Sequence, residues 1–366
     1  MQEIRLDILP LKEWTNFSVR PFIISGPCSA ESREQVLLTA KQLAKSGIVN
    51  VFRAGIWKPR TRPDAFEGVG EIGLNWLQEV KKETGLLTAV EVATPHHVEA
   101  AIIKDVDILW IGARTTVNPF SVQEIAAALK GYDIPVLVKN PVNPDLKLWI
   151  GALERINKAG INKMIAVHRG FTSYDSSPYR NAPIWEIPIE LMRLCPNLTI
   201  ICDPSHITGN SMLLESVCQK ALDLEMEGLM IETHINPRKA LSDAEQQITP
   251  SELTKLIAKL VIRSHNTDNA EFRNKLQELR SEIDILDAEL IHLLSKRMKI
   301  VEKIGKYKKE NNITILQIQR WNDIVRESIY LGEKLGLSRE FMVKLLRVIH
   351  EESILKQTQI FKKEEK

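Results

Sequence analysis

The sequence predicts a mixed α/β fold, in which a (β/α)8 TIM barrel is followed by an all-α domain of three helices. Two observations predict the barrel: short runs rich in Val, Ile and Leu alternate with amphipathic stretches, and eight such units extend over about 240 residues, the usual size of a closed parallel barrel. A third observation predicts the helical domain, because a long apolar stripe without a proline begins near residue 276.

The eight predicted strands come first along the chain. Each is short and apolar, and each is followed by a stretch with helical periodicity, as expected of strands that are buried on both faces. They span residues 22–25, 49–52, 87–91, 108–111, 136–138, 164–167, 198–202 and 228–231. Barrels of this kind carry their chemistry at the carboxyl ends of the strands, so the residues that follow these runs are expected to form one site.

Basic residues follow most of the predicted strands. Clustered cations destabilise one another unless anions occupy the site, so they predict a substrate with several phosphate or carboxylate oxygens. A solvated basic loop is the alternative for any one of these groups taken alone. The candidate anion-binding residues are Arg53, Lys58, Arg60, Arg114, Lys139 and Arg169.

Residues of the types that bind metals also follow predicted strands. One thiol, one imidazole and two carboxylates form a mixed soft and hard set, which suits Mn, Fe, Co or Zn better than Mg or Ca. Their spacing is not a local metal motif, so a buried structural cysteine and a helix-capping aspartate are the alternatives. The candidate ligands are Cys28, His206, Glu232 and Asp243.

Composition excludes several classes of protein. The chain has 366 residues, 44% of them hydrophobic, and a formal net charge of only +2, so nucleic acids and membrane surfaces are not favoured partners. The first residues contain scattered charges and no apolar run, which predicts a cytoplasmic protein. Four cysteines in a chain of this length are expected to be thiols rather than a disulfide framework.

Several motifs in the barrel region carry a family resemblance. Gly-Pro-Cys-Ser begins at Gly26, Arg53 is followed by Lys-Pro-Arg-Thr, Asp-Pro-Ser-His begins at Asp203, and Glu-Thr-His begins at Glu232. From about residue 20 to 262 the chain resembles 3-deoxy-D-arabino-heptulosonate 7-phosphate (DAHP) synthase of the type I beta group. The resemblance implies condensation of phosphoenolpyruvate with erythrose 4-phosphate and a divalent metal, which we expect to be manganese, with iron, cobalt or zinc as alternatives.

The same resemblance implies roles for individual residues, with Lys58 and Lys139 taken as catalytic. The metal ligands would be Cys28, His206, Glu232 and Asp243. The phosphate of phosphoenolpyruvate would lie against Arg114, Lys139 and Arg169, its carboxylate against Arg53 and Lys58, and the phosphate of the erythrose against Arg60 and Thr61. Two positions depart from the family pattern, Arg62 in place of serine and His168 in place of glutamate.

The second part of the chain follows a polar stretch that breaks the apolar period. We therefore predict a barrel domain over residues 1–263, a linker over 264–270 and a helical domain over 271–366. Three helices are expected within the last of these, over about 276–309, 316–331 and 338–360.

Polar residues interrupt the apolar stripes of these helices. Arg297 occupies a stripe position of the first helix, and Lys308, about three turns further on, faces the same side. Arg280 points roughly 100° away, so it serves a different protomer or no site at all. On the third helix Ser353 and Gln357 interrupt the apolar face, although a solvated face is the alternative for Ser353 alone. Together they predict a small buried anion site.

Residues 272–358 resemble the all-helical chorismate mutase, an intertwined homodimer of three-helix chains. The resemblance implies rearrangement of chorismate to prephenate, in which Lys308 and Gln357 donate hydrogen bonds to the ether oxygen. The substrate carboxylates would be held by Arg297, Arg320 and Arg280 of the partner subunit, and Ser353 would also bind substrate. Gln317 and Trp321 depart from the family, which usually has an aspartate and an acidic residue there.

These expectations combine into one functional prediction, a metal-dependent DAHP synthase fused to a chorismate mutase that also dimerises the chain. One alternative for the barrel is 3-deoxyoctulosonate 8-phosphate synthase, which also condenses phosphoenolpyruvate with a sugar phosphate. One alternative for the tail is a module that senses chorismate or prephenate and does no chemistry. The fusion also predicts inhibition of the barrel by prephenate bound in the tail.

Overall fold

A computed structural model describes residues 4–15, 17, 19–58, 66–173, 178–264 and 268–362. The chain divides into two compact units, Met1–Arg263 and Ser264–Lys366, which are described separately. Among the described residues, no helix combines the length and the apolar character needed to cross a lipid bilayer.

The first unit is a closed barrel of eight parallel strands, in which each strand pairs with the next along the chain and the last pairs with the first. The predicted (β/α)8 barrel is therefore confirmed, and the strand boundaries differ from the prediction by two residues or fewer. The strands are β1 Phe22–Gly26, β2 Val51–Arg53, β3 Leu87–Val92, β4 Ile108–Ile111, β5 Val136–Lys139, β6 Met164–His168, β7 Thr199–Cys202 and β8 Gly228–Glu232.

Helices connect these strands and cover the outside of the barrel. Most begin at a residue whose side chain accepts a hydrogen bond from the first turn, as Ser32, Thr94 and Asp203 do. The helices are α1 Leu11–Trp14, α2 Arg33–Ser46, α3 Ile72–Thr84, α4 Pro95–Ile103, α5 Ala113–Thr116, α6 Pro119–Leu129, α7 Leu146–Lys158, α8 Glu186–Leu194, α9 Pro204–Thr208, α10 Leu214–Asp223 and α11 Pro250–Lys259; short 3-10 turns span Ser211–Leu213, Pro237–Lys239 and Ala244–Gln246.

Two apolar layers hold the barrel together. Alternate strand residues such as Ile24, Trp110 and Leu137 fill its interior, while residues such as Phe52 and Val90 point outward and pack against the helices. Because all eight strands are parallel, their carboxyl ends meet at one rim. The residues that end or follow the strands are therefore brought to a common site despite their separation in sequence.

The second unit is all-helical, as predicted, and contains α12 Ala270–Glu310, α13 Ile318–Lys334 and α14 Arg339–Lys362. Helix α14 packs against both α12 and α13. Within α12, all of whose residues the structure describes, none before Val301 is buried. Its apolar stripe, which includes Leu279, Ile283, Leu286, Leu290 and Leu293, is exposed in the single chain.

Candidate functional site

Three of the four predicted metal ligands lie together at the rim of the barrel. Cys28 follows β1, Glu232 ends β8, and Asp243 lies in the loop after β8; one donor atom from each falls within 4.8 Å of the others. The Sγ atom of Cys28 donates to Oδ2 of Asp243 at 3.2 Å. The fourth predicted ligand, His206 in α9, places Nε2 3.8 Å from Oε1 of Glu232. The structure thus brings all four candidates to one place.

The electrostatics of this group favour a bound cation. Burial and then the neighbouring Glu232 raise the pKa of the Cys28 thiol to about 12. Burial also raises the pKa of Glu232, but the nearby His206 and Arg53 outweigh it and hold this pKa below its usual range. For Asp243, Arg180 outweighs the effect of burial in the same way and lowers the pKa. Two carboxylates and a thiol in a buried site are a donor set that fits a divalent metal ion.

Two cations of the rim are neutralised by buried carboxylates. Arg53 donates from Nη1 to Oε1 of Glu232 at 2.7 Å and lies over the ring of Trp110, with its guanidinium carbon 4.7 Å from the ring centre. The Nζ atom of Lys139 lies 2.6 Å from Oδ2 of Asp203. These pairs keep both cations in fixed positions beneath the cavity, so little side-chain entropy is lost when a substrate binds.

The guanidinium of Arg169 is different, because it is buried next to other cations. Its Nη1 donates to the amide oxygen Oδ1 of Asn181 at 2.9 Å. Burial, with smaller contributions from the nearby Arg180 and Arg114, lowers the pKa of Arg169 to about 10, although Asp203 works against them. A cation held under these conditions gains stability when an anion enters the cavity.

One cavity of about 360 Å³ joins these groups. Its walls include most of the predicted anion-binding residues, together with two of the predicted metal ligands. Arg60 and Thr61, the predicted ligands for the second phosphate, lie outside the described residues. The lining includes Arg53, Lys58, Arg114, Lys139, Arg169, His206 and Asp243. The arrangement can hold a polyanion against a metal ion.

Four residues of this site had no assigned role in the sequence analysis. Asp203 lies between the anion-binding cations and the candidate metal ligands. Its Oδ2 atom is 2.6 Å from Nζ of Lys139 and 2.8 Å from Nδ1 of His206. Arg180 and Asn181 come from the loop after β6, and Gln246 follows Asp243. Asp203 begins the Asp-Pro-Ser-His motif but had no role of its own, and the sequence signal for Arg180 was its position, as a basic residue in a loop at the carboxyl end of a strand.

His168, one of the departures from the family pattern, ends β6 and is completely buried. Its ring packs against Phe171 and Trp185, with ring centres 5.7 and 5.1 Å away. Burial and the adjacent Arg169 lower the pKa of His168 to about 3. The imidazole is therefore neutral at physiological pH.

A second polar cluster lies in the helical unit. Arg297 of α12 donates from Nη1 to Oγ of Ser353 in α14 at 2.7 Å. One turn later Gln357 packs against Gly305, where an added Cβ would lie 3.2 Å from Cγ of Gln357. These pairings show that α12 and α14 run in the same direction. Ser353 and Gln357 are among the few buried residues of α14, so the predicted polar interruptions do lie on its packed face.

Lys308, Arg320 and Arg280, the other residues predicted for this cluster, do not pair with Arg297 or Ser353 among the contacts that the structure describes. Lys308 donates from Nζ to the carbonyl of Ile315 at 2.5 Å, and Arg320 is exposed at the start of α13. Arg280 lies 17 positions before Arg297 on the same continuous helix, a separation of about 26 Å along its axis. The side chain of Arg280 therefore cannot reach the cluster of its own chain.

The two departures noted for this region are both at the start of α13. Gln317 occupies the N-cap position, and its side chain makes no capping hydrogen bond. The ring of Trp321 stacks on His350 of α14, with ring centres 3.8 Å apart and planes 14° from parallel. Burial and the nearby Arg297 lower the pKa of His350.

Comparison with known proteins gives two family matches. The model of the DAHP synthetase I family matches residues 18–266, and the model of chorismate mutase type II matches residues 279–358. The two matched regions do not overlap. The first contains the barrel site and the second contains the helical cluster.

Individual relatives follow the same division. A phospho-2-dehydro-3-deoxyheptonate aldolase of Thermotoga maritima is 33% identical over 226 residues, which cover 62% of this chain and 64% of that protein. A bifunctional chorismate mutase/prephenate dehydratase of Buchnera aphidicola is 37% identical over 90 residues, 25% of this chain and 23% of that protein. A 2-dehydro-3-deoxyphosphooctonate aldolase of Acidithiobacillus ferrooxidans is 26% identical and covers 70% of this chain and 94% of its own length.

A solved structure resembles the barrel. The crystal structure of the Thermotoga maritima DAHP synthase superposes with a TM-score of 0.59 at 30% identity, covering 65% of this chain and 67% of that one. The chain therefore spans somewhat less than two thirds of the first curated relative and about a quarter of the second.

Proposed function

Because the chain belongs to the DAHP synthetase I family and carries a chorismate mutase type II domain after the barrel, we propose that it is a bifunctional enzyme of the shikimate pathway. The barrel would condense phosphoenolpyruvate with erythrose 4-phosphate, and the helical domain would convert chorismate to prephenate. We place the boundary in the linker over residues 264–270. The observation that carries the first activity is the buried Arg169, which faces a cavity lined by further cations beside a metal-type donor set.

The rim supplies the binding energy and the orientation that this condensation needs. Arg114, Lys139 and Arg169 would hold the phosphate of phosphoenolpyruvate, and Arg53 with Lys58 its carboxylate. Fixing the nucleophilic methylene against the aldehyde removes much of the entropic barrier to forming the carbon-carbon bond. The ion pairs of Arg53 and Lys139 hold these side chains in place before substrate arrives.

The metal centre would be formed by the four gathered ligands, Cys28, His206, Glu232 and Asp243. When bound, a divalent cation supplies Lewis-acid polarisation of the aldehyde oxygen. Manganese is the proposed metal, with Fe, Co or Zn as alternatives. A set with carboxylates, imidazole and thiol suits all four of these metals. Full removal of metal by a chelator is expected to abolish DAHP formation and to leave chorismate conversion unchanged. An unchanged synthase rate after chelation would contradict a metal-dependent barrel.

A second candidate for the barrel is 3-deoxyoctulosonate 8-phosphate synthase, since a relative of that kind matches over most of its length. Lys-Pro-Arg-Thr at residues 58–61 and the fused mutase domain favour DAHP synthase. Product analysis decides between them. The chain is incubated with phosphoenolpyruvate and either erythrose 4-phosphate or arabinose 5-phosphate, and we expect product only with the former. Efficient use of arabinose 5-phosphate would reverse the assignment.

The mutase reaction needs no general base, because it is a rearrangement within one molecule. The enzyme must hold the dicarboxylate in a folded shape and stabilise charge on the ether oxygen. Lys308 and Gln357 would donate to that oxygen, Ser353 would contact the substrate, and Arg297 with Arg320 would hold carboxylates. Chorismate consumption by the whole chain tests this, and a chain that binds chorismate without turnover would leave only the sensor role.

A homodimer through the helical domain completes this proposal. The exposed apolar stripe of α12 needs a partner, and a second copy of the chain offers an identical stripe. The distance of about 26 Å along the helix means that Arg280 would act in the site of the other copy. Sedimentation of the intact chain is expected to give a dimer, whereas a monomer at micromolar concentration would contradict the proposal.

Feedback control by prephenate is the last part of the proposal. Prephenate bound in the helical domain would inhibit the barrel, which requires a coupling free energy between the two sites. The test uses the intact chain with Arg297→Ala, which removes a cation that would hold prephenate. We expect this variant to keep DAHP formation and to lose its inhibition by prephenate. Equal inhibition of the variant and the wild type would place the effector elsewhere.

A further inference from the structure

A continuous chain of hydrogen bonds joins the two carboxylates of the proposed metal centre. Arg180 donates from Nη1 to Oδ1 of Asp243 at 2.9 Å and to Oε1 of Gln246 at 2.8 Å. Gln246 in turn donates from Nε2 to Oε2 of Glu232 at 2.7 Å. We infer that Arg180 and Gln246 are positioning residues that orient the carboxylate ligands of the metal centre. The inference rests on the proposed metal-dependent function and assigns roles to two residues that had none.

The amide of Gln246 can take only one orientation at this place. Its oxygen faces the guanidinium of Arg180, and its nitrogen faces the carboxylate of Glu232. The reversed amide would set N–H groups against a cation and an oxygen against an anion. Gln246 is also almost completely buried, with 1% of its surface exposed. Arg180 therefore orients Gln246, and Gln246 orients Glu232.

Arg180 and Gln246 each hold one carboxylate by one of its oxygens, and the other oxygen of that carboxylate is directed toward the remaining ligands. In Asp243 the second oxygen, Oδ2, accepts from Cys28 at 3.2 Å. In Glu232 the second oxygen, Oε1, lies 3.8 Å from Nε2 of His206 and also accepts from Arg53. Outer contacts of this kind fix the direction of metal ligands in many metalloproteins.

Arg180 is well placed for this role because its backbone is tied to the helix that carries His206. The N–H groups of Arg180 and Asn181 donate to the carbonyls of Thr208 and Ile207, and Asn181 donates from Nδ2 to the carbonyl of His206 at 2.6 Å. Gly209 ends this helix with a φ of +68°, and a Cβ there would lie 2.5 Å from Cβ of Arg180. The loop that carries Arg180 thus directly contacts Asp243 and the helix of His206, and it contacts Glu232 through Gln246.

A cation next to a metal ligand has two opposite effects, and they give opposite predictions. Its charge repels the metal ion, so its removal strengthens metal binding if charge dominates. Its hydrogen bond fixes the ligand, so its removal weakens metal binding if positioning dominates. The second hydrogen bond of Arg180, to a neutral amide that itself holds Glu232, favours positioning.

The experiment measures metal binding directly by titration calorimetry on the metal-free chain, with Mn²⁺ and Co²⁺ as probes. Arg180→Met and Gln246→Leu remove the hydrogen bonds while keeping side chains of similar length. We expect each to raise the dissociation constant about 10- to 100-fold and to weaken the thiolate-to-Co²⁺ absorption band. The double variant is expected to lose no more than the stronger single variant, because the two residues act as one unit.

Arg193→Met is the matched control, since its guanidinium pairs with Glu190 on the exposed side of α8. It should bind metal as the wild type does, and chorismate turnover should survive in all variants if they fold. Unchanged or tighter metal binding in Arg180→Met overturns the positioning role while leaving the metal centre intact. A wild-type chain that binds neither metal overturns both this inference and the metal-dependent function.

Discussion

The barrel and the helical unit bury their residues to very different extents, although both gather cations around a proposed anionic substrate. The barrel fills its interior and its helix layer with apolar side chains, and its site is built from the loops of one chain. In the helical unit α12 exposes most of its apolar stripe, and Arg280 lies far from the cluster around Arg297. This contrast supports the proposal that the barrel site is complete within one chain, whereas the helical site needs a second copy.

The largest expected effect tests whether the two sites are independent. Cys28→Ser removes the sulfur of the proposed metal ligand and is expected to reduce DAHP formation by about a thousandfold, on the scale of losing a preorganised electrostatic contact. Chorismate turnover should stay within about twofold of wild type, because Cys28 belongs to the barrel unit and contributes no side chain to the helical cluster. The rates of DAHP formation and of chorismate turnover are measured on the same preparation of the variant. A parallel loss of mutase activity would show that the two sites are not separable.

The next largest effect tests whether the helical site is shared between chains. Arg280→Ala and Arg297→Ala are each expected to reduce mutase activity by about a hundredfold or more. Mixed after unfolding and refolding, the two variants should recover about a quarter of wild-type activity, because half of the dimers then contain one intact site. Mixing Arg297→Ala with Ser353→Ala is the control, since both residues lie in one chain's cluster and no site is repaired. Absence of recovery in the first mixture would contradict a shared site.

A smaller effect is expected on the stability of the barrel unit as the pH is lowered. The folded-state pKa of His168 is about 3, below its ordinary value of 6.5, so the unfolded chain binds more protons between these values. Barrel stability should therefore be fully present above pH 6.5 and fall as the pH falls, by about 2 kcal/mol between pH 7 and pH 5. Denaturant titrations at the two pH values measure it.

His168→Leu should remove this part of the pH dependence, while His96→Gln, at an exposed ring, should not. If the variant and the wild type lose equal stability between pH 7 and pH 5, some other group carries the dependence.

The smallest expected effect concerns Gln317, at the N-cap of α13. Gln317→Asp supplies the side-chain cap that is missing, which is worth about 1 kcal/mol to the helix, and restores the acidic group that the mutase family usually has. We expect a higher melting temperature for the helical unit and a KM for chorismate lowered severalfold. Gln317→Asn caps the helix without the charge, so it should raise the melting temperature alone. An unchanged KM in Gln317→Asp would show that the side chain at this position does not contribute to chorismate binding.

The sequence predicted most of the barrel because apolar periodicity reports directly on burial. Eight apolar runs gave eight strands, and parallel strands bring residues such as Cys28 and Glu232 together without any local motif. Arg180 could not be found in this way. It lies in the long loop between β6 and α8, where no period applies, and its role depends on contacts with Asp243 and Gln246 that exist only in the folded chain.

The helical unit shows the same division between periodic and tertiary information. Arg297, Ser353 and Gln357 were visible because each interrupts an apolar stripe, and the structure packs them against one another. The stack of Trp321 on His350 was not predicted. Aromatic rings on two separate helices carry no spacing that links them, and only the packing of α13 against α14 brings them into contact.

The bare stripe of α12 has a consequence for how the two activities respond to enzyme concentration. A site assembled from two copies obeys mass action, so chorismate turnover per chain should decline on dilution below the dissociation constant of the dimer. The barrel site takes its residues from a single chain and carries no such requirement. In a dilute preparation the chain would then retain the first step of its chemistry and lose the second.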